Sequence, residues 1–220
     1  MIFTNRHDSC DPSIGLHLSN QPLQSRESCL FLGVYLDNRL KFNLHIKYIS
    51  EKISKSIGIM FKLSKIFPAS IMKSLYFSFV YSYLVYCNCV WGGTFPTHLA
   101  GLNVLHKRVI RLISNSAYLA HTNNIFYRLN LLKLPEIHEL RIIMYVYLNF
   151  DTFSTFDTST RGSGNLRPEF QRLRLCQNSI RYFGPKCWNN LPADLKFIER
   201  SENFKNKVKK HLIARYSEDF

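Results

Sequence analysis

Carboxylates are scarce in this chain and are nowhere grouped as a catalyst would need them. Asp and Glu total 15 against 29 Lys and Arg, and the one adjacent acidic pair, Glu218-Asp219, lies at the extreme C-terminal end. Two-metal phosphoryl transfer needs clustered carboxylates, because each Mg²⁺ must be gripped by hard oxygen ligands while it holds nucleotide phosphates. No such constellation is present. The chain also lacks a Gly-x-x-x-x-Gly-Lys phosphate loop, a Gly-x-Gly-x-x-Gly turn, a His-Glu-x-x-His helix and a Gly-x-Ser-x-Gly elbow. His138-Glu139 has no second His at helical spacing, so it reads as a surface pair rather than a zinc site. The six cysteines show no Cys-x-x-Cys spacing, and the single-residue gap of Cys87-Asn88-Cys89 is poor for a metal knuckle. They read as buried free thiols. No stretch combines a charged start, an apolar run and a small-residue cleavage site, and the expectation is an intracellular, reducing location in the nucleus and/or cytoplasm. There is no internal repeat and no low-complexity tract. A stand-alone enzyme is not expected, and no residue is assigned as catalytic or metal-binding.

What the chain has in excess is positive charge, +14 formally with a pI near 9.6. That excess steers association towards nucleic acid or anionic lipid and says nothing about fold. It is unevenly placed. Residues 1–40 sum to −1, whereas 41–65, 161–186 and 196–215 each sum to +5. One block alone is accounted for by a solvated helix face. Three blocks of one sign favour a polyanion partner. At 220 residues and 46% hydrophobic content, the chain has enough apolar material for a core of its own.

Periodicity predicts a mainly α protein with a small antiparallel β element at the N-terminal side. Met1-Ile2-Phe3 has strand character, Asp8 to Ser13 is turn-like, and Ile14, Leu16 and Leu18 alternate as a strand does before Gln21-Pro22. With residues 29–37 these are expected to form one small sheet. In 43–66, Ile46, Ile49, Ile53, Met60 and Leu63 recur at helical steps, with lysines on the other side. Pro68-Ala69-Ser70 then opens an apolar helix of roughly 70–90. Its 74–93 core carries no charge and touches the transmembrane length range, but Ser74, Ser78, Ser82, Asn88 and four tyrosines weaken hydrocarbon transfer. A central helix buried on most sides is the expectation. Thr97 is a candidate N-cap for the next helix, whose stripe is Leu102, Leu105, Val109, Leu112 and Ile113. A short helix near 122–130 and one opened by Pro135 and running to about 149 follow. Asp151 to Gly164 is loop-like. Beyond it, Ile180 to Phe183 reads as a short strand, Gly184-Pro185 as a turn, Trp188 to Leu191 as a short helix, and 201–216 as a basic helix packed through Phe204, Val208 and Leu212. Trp91 and Trp188 are expected core anchors, and His45, His106 and His121 surface or capping residues.

The stretch Phe31-Leu32-Gly33-Val34-Tyr35-Leu36-Asp37 stands out because it reads as a half-buried strand running through a tight turn into the lysine-studded helix. Gly33 marks either a close approach of another backbone or a bulge. Together with Leu40-Lys41-Phe42 and the His45–Ser56 helix, this stretch resembles the end of the palm in reverse transcriptases of non-LTR (LINE-type) retrotransposons of the jockey/CR1-like kind. The segments Tyr83-Leu84-Val85-Tyr86-Cys87-Asn88-Cys89-Val90-Trp91-Gly92, Leu105–Ile113 and Leu129-Asn130-Leu131-Leu132-Lys133-Leu134 resemble the region that follows the palm. Ser179 to Pro192 resembles the C-terminal tail of these elements.

The resemblance implies a primer grip at Phe31, Leu32 and Gly33, with Val34 beside them, followed by a helical thumb-like bundle that cradles an RNA–DNA hybrid or duplex. Lys41, Lys47, Lys52, Lys55 and Lys62, with Lys107, Arg108 and Arg111, are then candidate phosphate contacts. Such contacts position a duplex without reading its sequence. The implied division is a palm remnant in 1–40, a thumb-like unit in 41–150, and a linker and basic tail in 151–220. In the family pattern the Ala-Asp-Asp turn, the first metal-binding Asp and the nucleotide-gripping residues precede Met1. The chain is therefore read as starting at an internal Met of a longer or decayed element, and the isolated chain is expected to be inactive. It is expected to hold no cofactor of its own, with Mg²⁺ implied for the full-length family enzyme, and to have no stable membrane partner. Two alternatives stay open: a non-catalytic nucleic-acid-binding remnant with another role, and a membrane-associated helical protein built on 74–93.

Overall fold

A computed structural model describes residues 17–18, 21–22, 26–155, 165–196, 198 and 200–217. The expected strand at Met1–Phe3, the turn at Asp8–Ser13, the start of the Ile14–Leu18 strand and the Glu218-Asp219 pair lie outside the described residues. The expected fold class holds: the described chain is mainly helical, with antiparallel strands only at its N-terminal side. Those strands form two separate ladders, β1 (His17–Leu18) with β2 (Gln21–Pro22), and β3 (Ser28–Phe31) with β4 (Val34–Asp37). The second corrects the reading of 31–37 as a single strand, because Leu32 and Gly33 are the turn itself. Both have positive φ, 45° and 78°, as a two-residue type I′ hairpin turn requires.

Asp37 joins this hairpin to the helices. Its carboxylate accepts the N–H groups of Arg39 (3.1 Å), Lys41 (3.0 Å) and Phe42 (2.7 Å), which lets Leu40 and Phe42 take left-handed φ of 51° and 59°. α1 (Asn43–Leu63) then buries Ile46, Ile49, Ile53, Ile57 and Met60 on one face. The apolar segment is broken into pieces rather than continuous. α2 (Ala69–Tyr76) passes through a π-helical turn at Phe77–Tyr81 into α3 (Ser82–Val85). The chain then bends at Cys87, with φ 47°, before α4 (Asn88–Trp91).

The reason lies in its spacing. Met72, Tyr76, Val80, Leu84 and Asn88 are buried at intervals of four, and an α-helix turns by about 40° too far over each such step. The wider π turn absorbs part of that drift, and the buried Ser56 hydroxyl shares its proton between Phe79 O (3.2 Å) and Lys52 O (3.1 Å). Burial is confined to this stripe and to Trp91 and Gly92 at its end. Phe77, Phe79, Tyr86 and Val90 are exposed, contrary to a helix buried on most sides. No helix among the described residues is long and apolar enough to cross a membrane.

α5 (Pro96–Ile113) packs along α1 and starts with Pro96 in its first turn, so Phe95 rather than Thr97 is its N-cap. It ends in a Schellman arrangement. Asn115 has φ 50°, and Ser116 N–H donates to Arg111 O at 3.0 Å. α6 (Thr122–Leu129) ends the same way at Asn130. α7 (Leu134–Leu148) is the central post, touched by α3, α4, α9 (Ile180–Asn189) and α11 (Ser201–Ala214).

α9 replaces the expected strand, turn and short helix of 180–191. Pro185 inside it removes one N–H, and the carbonyl thus freed on Arg181 accepts Glu169 N–H at 3.4 Å. The helix survives because Gly184, Pro185, Cys187 and Trp188 are buried against α7. Short helices α8 (Arg174–Gln177) and α10 (Ala193–Lys196) flank it. On α11, Phe204, Val208 and Leu212 are fully buried, each contributing about 1.5–3 kcal/mol, and Phe204 lies face-on to Tyr147 at 4.2 Å.

Three histidines are core residues rather than surface or pair-forming ones. His106 is buried and hydrogen-bonded through Nε2 to the Tyr76 hydroxyl at 2.9 Å. His45 is buried edge-on to Trp91, with neither ring nitrogen hydrogen-bonded. His138 is buried while its neighbour Glu139 takes Arg215 Nη1 at 3.0 Å. His121 is exposed, as expected.

Burial lowers the His138 pKa to about 4 and the His106 pKa to about 3, and lowers that of His45 as well. Folded histidines that resist protonation hold fewer protons than unfolded ones below pH 6.5. Stability is therefore full above that pH and is lost as pH falls towards 4 and then 3, by up to roughly 2 kcal/mol each for His138 and His106 between pH 6.5 and 5. Urea melts at pH 7 and pH 5 are expected to show this loss, and His138→Asn is expected to lose less between the two pH values than the wild type. For Asp37→Ala, which orphans three backbone donors, the expected cost is about 2–4 kcal/mol, measured as a lower urea midpoint with an unchanged slope.

Candidate nucleic-acid interface

The hairpin presents an apolar tip. Phe31 is 60% exposed and Leu32 74%, whereas Val34, on the other strand, is buried and packs in the core. The expected grip residues therefore divide into an exposed pair, a turn glycine and a core anchor. Leu32 spends about 1 kcal/mol or more to sit in the left-handed region, and Tyr86 holds it there. The Tyr86 hydroxyl donates to Leu32 O at 2.6 Å, and the Tyr86 ring lies 3.4 Å from where a Gly33 Cβ would be. Gly33 is thus a turn residue packed on a tyrosine, and neither the bulge nor the backbone approach considered for it is found.

Strain is concentrated around this hairpin. Among the described residues, the left-handed positions other than Gly and Asn are Leu32, Leu40, Phe42 and Cys87, which lie in the turn, in its connection to α1, and at the bend beside Tyr86. A groove of about 390 Å³ opens beside the turn, lined by Leu32, Gly33, His45, Tyr48, Ser82 and Tyr86.

All the candidate cations but Lys41 sit on two helices. On α1, helical steps of about 100° place Lys47, Lys55 and Lys62 within about 80° of one another, opposite the buried stripe. All three are exposed. Lys52 lies nearer the core, its ammonium 5.3 Å from the Tyr48 ring, which in turn lies 5.5 Å from Tyr35 of the hairpin. This ladder puts Lys52 on the hairpin side. Lys41 is half-buried in the connecting loop, its carbonyl accepting the Thr94 hydroxyl at 2.8 Å. On α5, Lys107 and Arg108 are exposed, while Arg111 is half-buried with Nε donating to Ala120 O at 2.9 Å. The α1 and α5 bases come together at the C-terminal ends of the two helices, where Lys65 joins Arg108 and Arg111.

Lys65 and the anchors Asp37 and Tyr86 escaped sequence reasoning as site residues, yet one signal was present. From Lys52 to Pro135 the sequence contains no Asp or Glu at all, while seven lysines and three arginines fall within that run. The described residues form only two ion pairs, Arg181–Glu169 and Arg215–Glu139, so the α1 and α5 cations have no carboxylate within pairing distance among them. Nor do the described residues gather three His, Cys, Asp or Glu side chains fit to hold a metal.

No family model matches the chain, and no solved structure matches it. It is similar to the RNA-directed DNA polymerase from mobile element jockey of Drosophila melanogaster, with 27% identity over 141 residues, covering 62% of this chain. The match spans 15% of the length of that protein. This likeness supports a relationship to the reverse transcriptases of such mobile elements.

Proposed function

We propose that this chain is the primer-grip and thumb portion of a non-LTR retrotransposon reverse transcriptase, positioning an RNA–DNA hybrid or duplex without carrying the catalytic carboxylates. The observation that carries the reading is the hairpin tip: apolar, strained, pinned by Tyr86, and set beside a basic helix whose one acid is Glu51. A primer end is held by van der Waals contact with Phe31 and Leu32, and Gly33 keeps the turn narrow enough for a sugar–phosphate backbone to pass. Val34 anchors the hairpin from below. Lys47, Lys52, Lys55 and Lys62 of α1, Lys41 in the loop, and Lys107, Arg108 and Arg111 of α5 take backbone phosphates. In this reading residues 1–40 complete the palm edge, 41–150 the thumb, and 151–220 the basic tail. The likeness to the jockey polymerase supports the reading, as does the absence of acids between Lys52 and Pro135. A nucleic-acid-binding remnant with another role rests on the same residues and makes the same contacts.

Phosphate contacts release counterions, so the logarithm of affinity falls linearly with the logarithm of salt, by about 0.9 per phosphate on duplex DNA. Fluorescence anisotropy of a labelled duplex across a salt series is expected to show a steep slope. The triple variant Lys47→Gln, Lys55→Gln, Lys62→Gln is expected to flatten it by about 2 to 3. A wild-type slope near zero, or a triple variant with unchanged slope, contradicts the reading. Primer extension with Mg²⁺ and deoxynucleotides is expected to give no incorporation, and template-dependent synthesis would refute the non-catalytic part.

A further inference from the structure

At the far ends of α1 and α5 lies a pocket that shares Arg108 and Arg111 with the duplex reading and adds Lys65 and two aromatic rings that the duplex reading leaves unassigned. It has a volume of about 510 Å³ and is lined by Phe61, Lys65, Arg108, Arg111, Ser116 and Tyr118, among others. That volume falls in the roughly 300–1,000 Å³ range of small-ligand sites. Its cations are not there to cap helices. The last-turn carbonyls of α5 are already taken: Ile110 O and Leu112 O accept Ser114 and Asn115 N–H, and Arg111 O accepts Ser116 N–H. At the end of α1, Met60 O and Leu63 O accept loop N–H groups, and Phe61 O accepts the Ser64 hydroxyl. Each helix end contributes about half a negative charge, so three full cations leave the pocket strongly positive.

The pocket also has an aromatic wall on a fixed loop. Residues 114–120 are tied down by the Ser114–Ser116 hydroxyl contact of 2.7 Å, by Ala120 N–H donating to Ala117 O, and by Arg111 Nε holding Ala120 O at 2.9 Å. On that anchored loop Tyr118 is 72% exposed, facing the same pocket as the half-exposed Phe61. A lysine and an arginine free of acidic partners beside exposed rings make a phosphate seat next to a stacking surface.

We infer that this pocket seats one unpaired nucleotide of a nucleic-acid strand, its phosphate on Lys65 and Arg108 and its base against Tyr118. The inference rests on the proposal that nucleic acid is the partner and adds a second site with a different preference. A paired base cannot reach a ring inside a pocket; an unpaired one can.

The test compares a labelled single-stranded oligonucleotide with a blunt duplex, by anisotropy on the full chain. Lys65→Gln, at the pocket cation with no assigned duplex contact, is expected to weaken single-strand binding at least threefold and duplex binding less than twofold, with the single-strand salt slope reduced by about 0.7. Tyr118→Ala is expected to weaken single-strand binding at least fivefold, while Tyr118→Phe retains wild-type affinity. Lys55→Gln, away from the pocket, is expected to show no such preference for the single strand. Circular dichroism melts of each variant verify folding. Equal losses on both ligands, or unchanged single-strand affinity in Tyr118→Ala, overturn the inference while leaving duplex binding by the α1 face intact. A wild-type chain that binds neither ligand overturns both readings.

Discussion

The hydrogen bond between Asn88 and His138 locks the bend that carries Tyr86 to the hairpin tip. The Asn88 amide nitrogen donates to Leu84 O at 2.8 Å, which leaves its Oδ1 to accept from His138 Nδ1 at 3.0 Å. The imidazole must therefore carry its proton on Nδ1. Gly92 makes the junction possible, because a Cβ there would lie 2.5 Å from that nitrogen. The bend that docks α4 onto α7 also presents Tyr86, whose carbonyl accepts Trp91 Nε1 at 2.8 Å and whose hydroxyl reaches Leu32. The hairpin tip is thereby wired to the central post of the fold through one buried amide and one neutral imidazole.

Charge is sorted with the same strictness. The imidazoles packed inside are held neutral by burial, while the lysines and arginines of α1 and α5 remain largely at the surface, with Glu51 the one acid in those two helices. A protein seeking only stability has little use for a surface of one sign, since like charges repel across it. The strained backbone at Leu32, Leu40, Phe42 and Cys87 points the same way, because strain of this kind persists where a site needs a defined shape.

Much of this was legible from residues alone. The stripes of α1, α5 and α11 followed from helical spacing, and Pro135 opened α7 where a first-turn proline belongs. The failures have physical causes. The intervals of four from Met72 to Asn88 looked like one continuous helix, and nothing local signalled the π turn or the left-handed Cys87. Gly184-Pro185 looked like a turn because proline disfavours helix interiors, yet burial of Trp188 and Cys187 overrode that preference. His45, His106 and His138 carried no local mark of burial, since their partners Trp91, Tyr76 and Asn88 are distant in sequence. Phe31, Leu32 and Gly33 were read as strand, the turn being invisible until Leu32 was seen at positive φ.

The central claim is that the hairpin tip meets a primer end, and site-mapped photocrosslinking tests it most directly. A template–primer duplex with a photoreactive group on the 3′-terminal primer nucleotide is irradiated with the chain, and adducts are located by peptide mass spectrometry. The account predicts adducts concentrated at Leu30 to Gly33 and at Tyr86, competed away by unlabelled duplex and lost at high salt. Adducts spread evenly over the basic helices, with none at the hairpin, would contradict it.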